Sequence, residues 1–278
     1  MLMFRYVGIL SICTILLFSG CSPERKLARN YVKKHSGSGI MILPLYELYK
    51  DNLTISFDTL VDYSPWQLDS IAWMQSVYIR DVSDSVFLTR FTNSLINELS
   101  ESGFDVYVDG SSDVFLSLPD PKWMIQIAQL MVSEDHRVDF YDLYSIESGE
   151  TESYNEGYRM NQVSMSSWLE VSRANTGTRQ VLFLNGYIQD DFHYGIDLDL
   201  MAGNIGMLGN RDSIQIADVY EMAEESGRKH GELLFDYFMN DYIRENLPSG
   251  IINREYYHYN RRTKSLIKGL EERFDVVN

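Results

Sequence analysis

The densest group of metal-ligating side chains in this chain is Asp190-Asp191-x-His193, continuing to Asp197 and Asp199. Alternate residues of an extended segment share a face, so His193, Asp197 and Asp199 would stand together as a divalent cation site requires. That face lies opposite Phe192, Tyr194, Ile196 and Leu198. A polar outer face of an amphipathic strand explains the pattern without a ligand, and one strand rarely completes the six or more oxygens that calcium takes. Glu221, Glu224, Glu225, Glu232 and Asp236 decorate a helical segment. Paired carboxylates do acid/base work only where their environments separate their pKa values, and most of these lie off the apolar stripe, where solvation is expected. The five histidines (His35, His136, His193, His230, His258) show no metal-ligand spacing, and His230 reads as a core or interface residue. A hydrolase assembled from distant carboxylates and His136 or His193 is the enzymatic alternative. Trp66, Trp73, Trp123 and Trp168 would serve either a sugar- or peptide-binding platform or simply the core. No nucleophile elbow, phosphate loop, dinucleotide fingerprint or HExxH occurs. The sequence therefore names no catalytic residue, no metal and no cofactor.

One segment points to contacts instead of chemistry. Met201 to Gly209 holds Met201, Ile205, Met207 and Leu208 with Gly203, Gly206 and Gly209, and no charge. Read as a loop, it would present an apolar tip to a partner protein or a membrane, or fold back as a lid over the sheet.

The elements that must position these residues follow from periodicity. Ile40 to Leu45 is an apolar run of strand length with Pro44 near its end. Leu53 to Phe57 alternates as a half-buried strand. Leu88, Phe91, Leu95 and Leu99 recur at helical spacing, and Gly103 sits where a helix end wants a left-handed residue before the alternating 104–108. Asp120-Pro121 predicts a helix with Met124, Ile127, Ala128 and Met131 as its buried stripe. Val163, Met165, Ser167, Leu169 and Val171 alternate, and Asn175-Thr176-Gly177 turns them into 181–184, an antiparallel hairpin. The longest helix runs from near Asp212 to about Asn246. On its face Gly227 and Gly231 cost about 1 kcal/mol each as helix formers, which predicts close approach of a neighbour. Thr263 to Phe274 reads as a weak helix in the tail. The fold class expected is α/β with an α+β tendency: a mixed β-sheet flanked by helices, with a long amphipathic helix near the C-terminus.

The beginning of the chain gives an address. Arg5 precedes the apolar run Tyr6–Phe18, which is short for a membrane span and ends in small residues, the pattern of an export signal. Leu17-Phe18-Ser19-Gly20-Cys21 resembles the lipobox of bacterial lipoproteins, with Phe18 where Leu is more usual. That resemblance implies cleavage before Cys21 and acylation of its thiol. With Cys13 removed, no thiol is left for a disulfide or a nucleophile. The organisation expected is a signal peptide at 1–20, a lipidated flexible tether at 21–39 with a short helix from Arg25 to Lys34, one domain at 40–248 with 189–211 as an insertion, and a tail at 249–278.

The chain carries a net charge of −16, yet residues 22–39 are +4 and 249–278 are +2. An acidic body of this kind repels phosphate backbones, which excludes nucleic acid as an expected partner. The basic stretch after Cys21 would suit an anionic membrane surface.

The segment Trp168-Leu169-Glu170-Val171…Thr176-Gly177…Val181-Leu182-Phe183, followed by a long helix ending at Pro248, resembles envelope lipoproteins with a curli-secretion/TolB amino-terminal type of α/β domain. The resemblance implies a non-enzymatic accessory or scaffold protein acting through protein contacts. Ser22 after the cysteine resembles lipoproteins sent to the outer membrane, and the absence of an acidic cluster at 22–26 favours the periplasmic side. A periplasmic hydrolase and a small-ligand or sugar-binding module are the competing expectations. A concave pocket with convergent polar groups would support the hydrolase, a buried cavity lined by two or more of the tryptophans the ligand-binding module, and a flat apolar patch the scaffold.

Overall fold

The computed structural model describes residues 22–55, 63–119, 121–147, 150–174, 177, 179–199, 204–251, 255–269 and 273–277; within 141–156 and 192–210 only the backbone is described. Cys21 and Met201 lie outside the described residues.

The sheet is organised by one ribbon. Strands β4 (Lys122–Glu147) and β5 (Glu150–Arg173) pair antiparallel from Trp123↔Arg173 to Glu147↔Glu150. At 26 residues, β4 spans about 85 Å at ~3.3 Å per residue. The other edge of β4 is filled in succession. Parallel β1 (Gly39–Leu43) covers Lys122 to Gln126, parallel β2 (Tyr49–Asn52) covers Met131 to Glu134, and β8 (Asn204–Asp212) meets Ile146 through Ile205. Strand β3 (Asp105–Tyr107) adds parallel to β1, while β6 (Arg179–Gln189) and β11 (Asp275–Val277) extend the antiparallel side, giving the order β11-β6-β5-β4-β1-β3. Strand β7 (Asp191–Asp199) forms a hairpin with β8. A separate hairpin joins β9 (Tyr256–Asn260) to β10 (Ser265–Gly269). Helices α1 (Pro23–Lys34), α2 (Pro65–Gln75), α3 (Asp84–Glu101), α4 (Ser112–Ser117) and α5 (Ile216–Asn246) complete the described elements. The class is α/β: a mixed sheet flanked by helices with a long helix near the C-terminus.

The helix expected after Asp120-Pro121 is instead the start of β4. Trp123, Ile125 and Ile127 point inward at period two, then Ala128 is inserted as a bulge, and Leu130 and Val132 resume the buried series. One extra residue makes the apolar spacing read three, which imitates a helix in a one-dimensional scan. Of the strand expected at 53–57, Leu53 and Thr54 form a turn directly after β2, and residues 56 and 57 lie outside the described residues. Where a helix was expected at 263–274, residues 265–269 form β10 and 270–272 lie outside the described residues.

The short helix expected in the tether is α1, and it packs on the body instead of forming a free spacer. Ala28 and Tyr31 of α1 are buried against the body, and Ser22 Oγ donates to Glu255 at 3.1 Å. His35 packs edge-on to Phe235 at 4.9 Å, and its Nε2 lies 2.6 Å from the Ser102 carbonyl.

Helices α3 and α5 pack on each other through the predicted glycines. A Cβ at Gly227 would lie 2.2 Å from the Phe91 carbonyl oxygen, and one at Gly231 would lie 2.6 Å from Glu98 Cγ. The expected stripe of α5 is buried at Val219, Ala223, Leu234 and Phe238, and on α3 Phe91, Leu95 and Leu99 are fully buried. Each such side chain contributes roughly 1.5–3 kcal/mol. Gly103 closes α3 at φ +98° as its position predicted.

Candidate functional site

Two surfaces hold unusual chemistry, and each is positioned by buried polar side chains. The first is built from residues 46–55 and 63–77. Helix α2 begins at Ser64, whose N–H donates to Gln67 Oε1 at 2.9 Å, with Pro65 in the first turn where its missing N–H is harmless. Only Ala72 of this helix is buried, although Trp66, Ile71, Trp73 and Met74 are apolar. Trp66 is 69% exposed, Met74 64% and Val77 61%. An open pocket of about 660 Å³ is bordered by Lys50, Asn52, Asp69, Trp73, Met74 and Ser76.

This apolar surface is clamped to the sheet by Glu134. Its carboxylate, 1% exposed, accepts from Ser76 Oγ at 2.8 Å and from the backbone N–H groups of Val77 and Tyr78 at 3.0 Å each. A buried charge is tolerable only when so satisfied. Asn52, also buried, donates to the Ala72 carbonyl at 2.8 Å and accepts from Thr54 Oγ1 at 2.7 Å. Lys50 reaches the Val82 carbonyl and Asp84 Oδ1, at 2.6 Å from the latter, with its ammonium 5.3 Å from the Trp73 ring centre.

The second surface is a groove of about 470 Å³ between α3, α5 and the β9–β10 hairpin. The open edge of β9 is paired by two α5 side chains one turn apart. Asp236 Oδ1 accepts from Tyr259 N–H at 2.8 Å, and Asn240 exchanges bonds with the Tyr257 backbone at 2.9 and 2.8 Å. An edge strand's backbone groups must find partners, and here a helix supplies them. Asp236 Oδ2 also holds His258 Nδ1 at 3.1 Å. A Cβ at Gly269 would lie 2.3 Å from His258 Nε2, so the imidazole's place depends on that glycine. Arg228, Arg261, Arg262 and Arg273 line the groove. Arg228 pairs with Glu225 and Glu232, and Arg261 pairs with Glu98 at 3.0 Å and Glu101 at 2.9 Å. Burial pushes the Glu98 carboxyl up against the opposing pull of Arg261.

The sequence candidates are dispersed. Asp190 is a buried structural anchor that accepts from the N–H groups of Asn161 and Ile214, each at 2.9 Å. The side chains of His193, Asp197 and Asp199 lie outside the described residues, and among the described ones no group of three or more His, Cys, Asp or Glu is arranged to hold a metal. Glu221, Glu224, Glu225 and Glu232 are exposed, whereas Asp236 is buried. His136 lies opposite Asn161 on β4, with its Nδ1 shielded and without a hydrogen-bond partner among the described residues. Burial, reinforced by Arg159, holds its pKa below the usual histidine value. His230 is a core histidine: Nε2 lies 2.5 Å from Ser167 Oγ, Nδ1 lies 2.5 Å from the Ser226 carbonyl, and burial lowers its pKa to about 4.

The four tryptophans do not form one platform. Trp123 is buried between Phe238 and the Arg173 guanidinium, each 4.6 Å away. Trp168 packs on Phe183 at 5.0 Å, and Trp66 and Trp73 are exposed on α2. The apolar loop expected at 201–209 is backbone strand from Asn204 onward, so Ile205, Met207 and Leu208 belong to β8, opposite Leu198, Ile196 and Gly195.

Sequence reading passed over Glu134, the groove arginines and the apolar helix at 65–75. Two signals for them exist: a lone Glu in the inward series of a strand, and apolar residues on every side of a short helix with no polar stripe. No family model matches the chain, and no curated protein matches it.

Proposed function

We propose that this protein is a lipid-anchored, non-enzymatic accessory or scaffold protein of the bacterial outer envelope, facing the periplasm and acting through protein contacts. The observation that supports this reading is the surface of α2. Soluble proteins rarely leave a contiguous group of large apolar side chains in water, and such groups mark interaction sites. Trp66, Trp73, Met74 and Val77 are exposed close to one another in sequence, with Tyr46, Tyr49 and Leu53 exposed on the preceding segment. Tryptophan at the centre of such a patch is the residue type that carries interface energy. The clamp at Glu134 holds the helix in place before any partner arrives, which lowers the ordering cost of binding.

The anchor belongs to the same reading. If Cys21 carries acyl chains, Ser22 and α1 place the folded body directly at the lipid, with no flexible spacer.

The test compares the full chain, a Cys21→Ala variant and a Trp66→Ser/Met74→Ser variant expressed in an envelope-bearing host. Cys21→Ala is expected to leave the membrane fraction or to remain unprocessed. The double variant is expected to stay in the membrane, keep its melting temperature, and lose a cross-link to a specific envelope protein that the parent forms. Cross-linking of the same protein by both chains would refute the docking role of α2.

A further inference from the structure

The groove between α3, α5 and the β9–β10 hairpin gathers Arg228, Arg261, Arg262 and Arg273 beside Glu98, Glu232 and Asp236. The chain is −16 overall, yet four guanidinium groups converge on this one cavity. Two of them are neutralised by carboxylates: Arg228 by Glu225 and Glu232, Arg261 by Glu98 and Glu101. Arg262 and Arg273 also line the groove, and neither has a carboxylate partner among the described residues. Exposed arginines at the rim of a concave site offer planar forks whose geometry matches phosphate and carboxylate.

The floor of the groove is rigid. His258 is fixed from one side by Asp236 and from the other by the absence of a Cβ at Gly269. Asp236 is itself 3% exposed and also bonded to the Tyr259 N–H. With Nδ1 bound to Asp236 and Nε2 packed toward Gly269, His258 is a fixed wall of the groove. The volume of about 470 Å³ lies within the range of small-molecule sites.

We propose that this groove binds a phosphate-bearing anion, with Arg262 and Arg273 as its principal ligands and the Arg228 and Arg261 ion pairs as the supporting wall. Two guanidinium groups with no carboxylate partner among the described residues match a ligand of two or more negative charges, since a single carboxylate occupies one fork. The chemistry is shared by a free phosphorylated metabolite and by a phosphate headgroup. The site uses none of the residues of the α2 surface, so it stands or falls separately from the docking role.

The experiment is calorimetric titration of the full chain in mild detergent with two probes: inorganic pyrophosphate, and dihexanoyl phosphatidic acid below its micelle concentration. Three chains are compared: the parent, Arg262→Ala/Arg273→Ala, and Lys26→Ala/Lys33→Ala, which removes two charges from the exposed face of α1. Arg262 and Arg273 are exposed, so their loss is expected to leave the melting temperature unchanged. The parent and the lysine variant are expected to bind at least one probe saturably, and the arginine variant at least about tenfold more weakly. Binding of pyrophosphate identifies a soluble ligand, and binding of phosphatidic acid alone identifies a headgroup. Either supports the site if it is lost with the arginines. No saturable binding of either probe, or equal weakening in the lysine variant, overturns it.

Discussion

Glu134 Oε2 lies 2.8 Å from Ser76 Oγ, a bond between residues 58 apart in the chain that fastens an apolar, exposed helix to the centre of a long sheet. The same carboxylate receives the N–H groups of Val77, Tyr78 and Ile79, the last at 3.4 Å, where a short 3₁₀ turn begins at Ile79. A negative group at the start of a helical turn is favoured by the turn's unpaired donors.

Replacing Glu134 by Ala leaves those donors buried without a partner. The expected cost is about 2–4 kcal/mol, read by urea unfolding. Hydrogen exchange at Val77 and Tyr78 should accelerate more than at Leu169 in the middle of β5. Unchanged protection at 77–78 would show that the carboxylate does not hold the segment.

The α3–α5 contact yields a second expectation. Gly227→Ala would press a methyl group onto the Phe91 carbonyl, which cannot move without shifting α3. Helix propensity alone would gain roughly 1 kcal/mol from the change, so net destabilisation of about 1–3 kcal/mol would isolate the packing penalty. Glu225→Ala, on the exposed side of α5, should stay within about 0.5 kcal/mol. Thermal unfolding of the two variants side by side decides the matter; a stabilised Gly227→Ala would mean that the helices do not approach as described.

His230 predicts a pH dependence. Its pKa falls from the usual 6.5 to about 4 because burial opposes the charged form. The unfolded chain therefore binds more protons than the folded one between these values, and stability must decline as pH falls from 6.5 towards 4. The contribution is on the order of 3 kcal/mol for a shift of this size. Above pH 6.5 it is fully present and flat. His230→Phe, which keeps an aromatic ring beside Phe91 and Phe274, should flatten this part of the stability profile measured by denaturant titration at pH 4.5, 5.5 and 7. An identical slope in the variant would assign it to other groups.

Local sequence determined a good deal of this protein. The alternation of Val163 to Val171, the helical spacing of Leu88 to Leu99, the positive-φ Gly103 and the two glycines of α5 were each legible, because period and backbone permissiveness are properties of a few adjacent residues. Where one residue breaks the period, the reading failed: the bulge at Ala128 turned a strand into an apparent helix. The tail after Pro248 failed for a different reason. Strand β9 pairs nearby only with β10 on one edge; its other edge is held by Asp236 and Asn240 of a helix before it, and β11 is held by β6, far back in the sequence. The same limit governs the two candidate surfaces. That Glu134 faces Ser76, that Arg262 and Arg273 meet Arg228 and Arg261 in one groove, and that Trp123 is buried while Trp66 is not, are decided by which distant segments pack together. Residue types and their spacing set each element; exposure, charge convergence and the pairing of buried polar groups exist only once those elements share a core.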